Sequence, residues 1–415
     1  MALAGAGYKL LPERLAGKII CFEQGRSIKV KKMKTKIYIT ALHLKHGGVE
    51  MAISLLANAF VRRGYEVEIL CIYNLGQPAY ETGPGVKITY LTNVAPNREA
   101  FLAEKRKKNV AGILREGCKA LRVLCLKHSA MKKAIRDISE GVVISTRNEH
   151  SVLLSKYGKT EVLKIAQLHH DHNFAKKYVN DFKKRYTNID WFVALTEQLR
   201  DEVSEMVKDS DTKMQCVAIP NFLADEAFER KAVEKEDTVV TVGRLHPVKG
   251  FDRLLRIWKE VSENCGGWTL KIVGGGDLEE EISRKIKEFK MERTVRMMGM
   301  CSHDVVAEEM EKASVYVMAS YSEAFPFVLI EAMAAELPVL AFDVRVGPKA
   351  IIKDKESGFL IKDGDERAFA RRLEGLLLDK DKRTDMGRNA VHSARMLSES
   401  RVMEKWMDIL KNYGT

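Results

Sequence analysis

The fold class this sequence predicts is α/β: two mostly parallel domains in tandem, facing each other across a cleft. Three observations carry it. Short apolar strands alternate with helical segments along nearly the whole chain, the rhythm of parallel sheets joined by crossovers. That rhythm breaks around residues 219–237 (IPNFLADEAFERKAVEKED), where strand character ends at Pro220 and a mixed charged stretch reads as an interdomain connection. At 415 residues the chain also exceeds one ordinary domain. The division expected is an extension over 1–32, domains over 33–220 and 221–397, and a last helix over 398–415 crossing back to the first domain.

Residues 1–32 lack periodicity and end in a basic run, so they read as a poorly ordered extension. From Thr35 a strand (KIYIT), a Gly-containing loop and a helix follow, with Ile53, Leu56 and Phe60 on one face and Gly64 at its end. Further first-half strands are expected at 65–72, 142–145, 162–167, 191–195 and 215–219. One helical segment, 104–136, is dense in Lys and Arg yet carries Val110, Ile113, Leu114, Leu121, Leu124 and Leu126. Packing on its own domain is the first reading of the apolar face; an anionic membrane surface is the alternative for the basic cluster. After the break, strands are expected at 238–242, 270–273, 295–298, 315–318, 339–342 and 358–361. The chain closes on a stripe of Val402, Trp406, Ile409 and Tyr413, the mark of a packing helix.

Composition narrows the function classes. Apolar residues make up 46% and charged residues 30%, which suits a folded soluble chain. A net charge of +12 asks for an anionic partner: phosphate-bearing substrate, membrane surface or nucleic acid. Nucleic acid is set aside, because the basic residues lack interleaved aromatics and no recognised module is present. Seven scattered cysteines without a CxxC pair argue against disulfides and structural zinc, so a cytoplasmic location is expected. No run reaches the ~18–20 apolar residues of a membrane span, and residues 1–20 lack a signal core.

The chemistry gathers at strand ends. Residues 313–342 read as strand, polar loop, helix and strand, with Pro326 suited to the first helical turn. The helix start can hold a phosphate. Glu323 and Glu331, with seven residues between them, bracket it; they read as hydroxyl acceptors flanking the anion, or as a helix-start carboxylate and a solvated helix residue. The run VGRLHPVKGFD (242–252) carries Arg244 and Lys249, a guanidinium and an ammonium able to clamp a diphosphate. VGGGD (273–277) lacks the dinucleotide fingerprint; its glycines let the backbone turn and approach a ligand, while Asp277 would cap the next helix. HGGVE (46–50) joins strand to helix with bare glycines, a small anion or hydroxyl site or a simple turn. IAQLHHDHN (165–173) sets three histidines at a strand end; no accepted metal spacing accompanies them, so a histidine lining the cleft is preferred to a metal site.

With these motifs in their order and spacing, the chain resembles the retaining, nucleotide-sugar-dependent glycosyltransferases of family 4. The resemblance covers roughly 34–413 and is strongest in VGRLHPVKGFD, VGGGDLEEE, SEAFPFVLIEAMAAELPV and GPKAIIKDKESGFL. It implies the GT-B fold, with two Rossmann-like domains, the first on the acceptor side and the second binding the nucleotide-sugar. It implies catalytic roles for Glu323, His169, Arg244 and Lys249: Arg244 and Lys249 on the donor diphosphate, Glu323 on the transferred sugar and His169 on the sugar in the cleft. Glu331 would read the ribose, Met300 would lie by the base and Gly48 would border the diphosphate. Backbone N–H groups around Ala324, Phe325, Pro326 and Phe327 would hold phosphate and sugar. Ala324 departs from the glycine of many members, and the segment 343–347 (DVRVG) is less familiar. The implied donor is a nucleotide-diphosphate sugar, a UDP-sugar in the first place, with no cofactor and no metal.

The resulting expectation is transfer with retention, by front-face attack, to a glycan or lipid-linked acceptor in cell-surface polysaccharide biosynthesis, peripheral on the inner face of the cell membrane. Two alternatives stand beside it: transfer to a small soluble acceptor, and a non-catalytic nucleotide-sugar-binding protein.

Overall fold

The computed structural model describes residues 35–229, 233–411 and 413; the expectation for 1–32 lies outside them. The first half runs β1 (Lys36–Ala41), α1 (Gly48–Arg62), β2 (Glu66–Tyr73), β3 (Val86–Thr92), α2 (Arg98–Arg106), α3 (Val110–Asp137), β4 (Gly141–Ser145) and α4 (Asn148–Tyr157). It continues with β5 (Val162–Leu168), α5 (Lys176–Arg185), β6 (Trp191–Ala194), α6 (Glu197–Val207) and β7 (Gln215–Ala218). The second half runs β8 (Thr238–Val242), α7 (Phe251–Asn264), β9 (Thr269–Val273), α8 (Glu279–Glu288), β10 (Val295–Gly299), α9 (His303–Lys312), β11 (Val315–Met318) and α10 (Phe327–Ala334). It ends with β12 (Val339–Asp343), β13 (Gly358–Lys362), α11 (Glu366–Leu378), α12 (Lys380–Ala394) and α13 (Glu399–Lys411).

The strands form two parallel sheets, ordered β3-β2-β1-β4-β5-β6-β7 and β10-β9-β8-β11-β12-β13. In each, the order reverses beside the first strand, between β1 and β4 and between β8 and β11. Such a reversal opens a crevice at the strand C-termini, because the flanking crossovers leave on opposite faces. It lies beside the loops after β1, β8 and β11, which hold Gly48, Arg244 with Lys249, and Glu323.

Apolar cores lie on both faces of each sheet. Met51, Ala52 and Leu195 of the first half pack into the cluster that holds Phe325 and Phe327 of the second. The last helix, α13, lies on the first sheet: Trp406 is buried with its ring edge-on to Phe60, 5.8 Å between centroids. Burying a side chain of that size contributes roughly 2–3 kcal/mol.

Five points of the sequence reading need correction. The strand β3 was not anticipated; it is a half-buried edge strand in which VKITYLT alternates only weakly. The segment 104–136 is not one helix but the end of α2 and most of α3, broken at Lys108, which takes φ 54, and restarted by Asn109, whose side chain accepts from the Gly112 N–H at 3.2 Å. Its apolar face does not pack throughout: Val110, Leu114, Leu121 and Leu124 are exposed, while Gly112, Glu116, Met131 and Ile135 face inward. Asp277 does not cap α8, whose N-cap is Leu278 with no side-chain bond. Pro326 sits one residue before α10 rather than in its first turn.

Candidate active site

The loop between β11 and α10 is held from both sides. On one side Arg253 of α7, 2% exposed, donates from Nε to the Ala319 carbonyl at 2.6 Å and from Nη2 to that of Ser320, while Nη1 meets Asp363 at 2.7 Å. Its guanidinium also stacks on Tyr321 and Phe342, at 4.1 and 3.8 Å. Gly250 (φ 65) lets the loop before α7 touch this one, since a Cβ there would lie 1.8 Å from the Ala319 oxygen. On the other side the Gly347 N–H donates to the Glu323 carbonyl at 3.0 Å, and Asn221 Nδ2 to that of Phe325 at 3.3 Å. Sequence reading did not single out Arg253, because an arginine inside an amphipathic helix looks like a solvated one.

This bracing brings Lys249 and Glu323 together, Nζ to Oε1 at 2.6 Å, both side chains mostly buried. Phe325, Pro326 and Phe327 are buried and Ala324 half-buried, so they offer backbone rather than side chains. Among the described residues, no acceptor meets the N–H of Ala324, Phe325 or Phe327. Three free donors at a helix start form an anion cradle. Across the cleft, Gly48 opens α1, and a Cβ on it would come 3.8 Å from the Phe327 ring.

Arg244 is exposed and makes no ion pair with any described residue. The glycines of 273–277 hold its loop: a Cβ on Gly274 (φ 140) would lie 2.0 Å from the Gly243 oxygen, and Leu245 N–H donates to Gly275 at 3.0 Å. These glycines thus bring the backbone against the neighbouring loop. Met300 stands 68% exposed beside Gly275.

Glu331 is buried, not solvated, and meets His303 Nε2 at 3.0 Å. His303 opens α9 and was missed in the sequence, where nothing links it to α10. The Tyr80 ring of the first domain lies edge-on to it, 6.4 Å between centroids, and edge-on to His46 at 6.2 Å.

His169 follows β5 and is 7% exposed, with both ring nitrogens lacking a hydrogen-bond partner. Burial, with the charges of His170 and Arg147, pushes its pKa down to about 3, so it is neutral near pH 7. The three histidines do not converge: His169 and His172 are buried while His170 is exposed, and among the described residues no group of three or more His, Cys, Asp or Glu is arranged to hold a metal ion. The segment 343–347 supplies an interdomain tie. Arg345 bonds Asp171 (Nε at 2.7 Å, and Nη2), bonds Glu202 at 2.8 Å and stacks on Phe174 at 5.2 Å.

Residues 224–393 match the family model described as "Glycosyl transferases group 1". An uncharacterized glycosyltransferase of Haemophilus influenzae is 27% identical over 371 residues, 88% of this chain and 96% of that protein. A Campylobacter jejuni alpha-1,4-N-acetyl-D-galactosaminyltransferase, named for a diNAcBac-PP-undecaprenol-linked acceptor, is 26% identical over 383 residues, 90% and 98% of the two chains. Among solved structures, a Staphylococcus aureus TarM variant in complex with fondaparinux, alpha-GlcNAc-glycerol and UDP superposes with a TM-score of 0.70 at 16% identity, over 90% of this chain and 99% of that one. The chain therefore has the GT-B fold, with residues 224–393 similar to the glycosyl transferases group 1 model.

Proposed function

We propose that this protein is a retaining glycosyltransferase that moves a sugar from a nucleotide-diphosphate sugar, UDP-linked in the first instance, to a hydroxyl of a glycan or lipid-linked acceptor in cell-surface polysaccharide synthesis, at the cytoplasmic face of the membrane. The observation that carries it is the Lys249–Glu323 pair beside the open N–H groups at the start of α10. A cation and free N–H donors suit a diphosphate, and a carboxylate next to them suits the hydroxyls of the sugar it carries. The named acceptor of the Campylobacter jejuni relative and the UDP in the TarM complex support the acceptor and donor classes.

In this reading Arg244, Lys249 and the N–H groups of Ala324, Phe325 and Phe327 receive the charge that grows on the diphosphate as the anomeric C–O bond breaks. They stabilise the transition state more than the ground state, and their cationic charge assigns no step to a metal. The acceptor oxygen attacks from the leaving-group side, and its proton passes to the departing phosphate oxygen. Glu323 holds hydroxyls of the sugar, His169 in its neutral form bonds it from the other domain, and Glu331, fixed by His303, reads the ribose. Gly48 lets α1 close against the diphosphate, Phe327 and Pro326 shape the loop, and Met300 flanks the base.

The test is a thermal-shift series with UDP-, GDP- and ADP-sugars, followed by transfer of labelled sugar to a membrane extract. A shift with a UDP-sugar and label in the lipid-extractable or glycan fraction is expected. No shift with any nucleotide-sugar defeats the proposal.

A further inference from the structure

We propose that the outward face of α3, with the basic corner where α2 meets it, is a docking surface for an anionic lipid bilayer. The inference rests on the proposed function only for its purpose, bringing the cleft to a lipid-borne acceptor; the surface itself is argued from its own residues.

Val110, Leu114, Leu121 and Leu124 are 70%, 67%, 64% and 56% exposed. Their spacing puts them on one stripe of the helix, with the exposed Cys118 and Cys125 between them. A helix of a globular protein turns such a stripe inward; here the inward face is taken by Glu116, Met131 and Ile135, and the leucines are left in water. Cations surround the stripe. Lys105, Arg106, Lys107 and Lys108 form the corner, and Arg115, Lys119 and Arg122 run alongside, all exposed. Over residues 98–125 there are eight Lys or Arg against three Glu. Lys107 is paired with Glu104, and Arg115 and Lys119 share Glu116. Lys105, Arg106, Lys108 and Arg122 have no ion pair among the described residues.

This chemistry selects the occupant. Protein interfaces favour aromatic side chains and are depleted in lysine, whereas leucines framed by Lys and Arg suit the boundary between acyl chains and phosphate headgroups. The negative surface of an anionic leaflet complements the corner, and apolar side chains entering the boundary add what charge alone does not. Past its middle the helix is tied to the crevice: Lys127 bonds Glu149 at 2.6 Å, in the first turn of α4, just after β4 where the order of the first sheet reverses. A bilayer against α3 would thus lie beside the acceptor half of the site.

The full-length protein is sedimented with vesicles of phosphatidylcholine alone or with phosphatidylglycerol. Binding is expected to the anionic vesicles only, and to fall at least tenfold between about 0.1 M and 1 M salt, as the screening length drops from ~10 to ~3 Å. Leu114→Glu with Leu121→Glu, and separately Lys105→Glu with Lys108→Glu, should each weaken binding about tenfold or more while the thermal shift with UDP stays as in the wild type, these positions being exposed. Wild-type protein left in the supernatant with anionic vesicles at low salt, or both double variants binding like wild type, overturns the proposal. So does a stable dimer in sedimentation velocity that Leu114→Glu with Leu121→Glu dissolves, which assigns the stripe to a second copy. Vesicle binding without a shift from any nucleotide-sugar keeps the surface and defeats the enzyme reading instead.

Discussion

The two crevices, one in each sheet, are finished to different degrees. In the second domain the buried charged groups of the site already have partners, the exposed Arg244 standing apart: Lys249 with Glu323, Glu331 with His303, and Arg253 with two carbonyls, Asp363 and two rings. In the first domain Asp171 and Arg147 are also paired, with Arg345 and Glu149, but buried ring and guanidinium nitrogens are left over. Both nitrogens of His169 and the Nε of Arg147 are buried without a hydrogen bond. A buried polar atom without a partner is costly, so such atoms mark where a ligand completes the network. In the proposed reading, that difference separates a donor half largely preorganised before substrate arrives from an acceptor half that the substrate completes.

Predictions that would break or sharpen that difference run from large to small. Glu323→Ala should cut kcat roughly 10²–10³-fold while the UDP thermal shift persists, the loss expected for a group acting on the transition state; unchanged turnover would remove the carboxylate from the site. Arg253→Ala should destabilise the protein by roughly 3–5 kcal/mol in denaturant melts, since it strips a buried cation from the loop carbonyls and Asp363. A change near zero would mean the donor loop does not depend on it. Glu331→Ala should raise the Kd for UDP roughly 10–100-fold, the range for a charge-assisted bond, with less effect on kcat in saturating donor. If binding holds and only turnover falls, the ribose assignment is wrong.

The pH dependence tests the first domain. Burial holds His169 and His150 down to about 3, against ~6.5 for the unfolded chain. The native state then binds fewer protons, so stability is full above ~6.5 and falls as pH drops toward 3, by up to about 1.4 kcal/mol per pH unit for each histidine. Tm should decline from pH 7 to pH 5, and His150→Gln should flatten that slope; an unaltered slope would mean His150 is not kept neutral. Arg345→Ala should have the smallest effect, about fivefold or less on KM for the donor, because the tie to Asp171 and Glu202 is partly exposed and screened. A loss of hundredfold in kcat would make it a part of the chemistry rather than of domain closure.

Residues that depend on their neighbours in the chain were legible. Gly250 before α7, Lys249 beside it and Glu323 after β11 stand at strand-to-helix turns, which apolar runs and glycines mark without any knowledge of the fold. The sheets followed from the same local rhythm, except β3, an edge strand whose weak alternation reflects its half-buried place. Residues whose role depends on a distant partner were not legible. Arg253 reads as surface until Ala319 and Ser320 are seen above it, and His303 reads as a helix start until Glu331 is found 3.0 Å away.

By itself, then, the sequence determined two α/β sheets, the strand ends where ligands can sit, and the residue types gathered there, because period, turn chemistry and helix starts are properties of short stretches. Only the tertiary structure decided which of those residues meet, that Glu331 is buried, that Arg345 ties the domains, and that the leucines of α3 face outward. The physical reason is that burial and pairing belong to surfaces brought together from far apart in the chain. An apolar stripe states that a helix has a face to cover, but which way it turns is settled by the sheet it packs against.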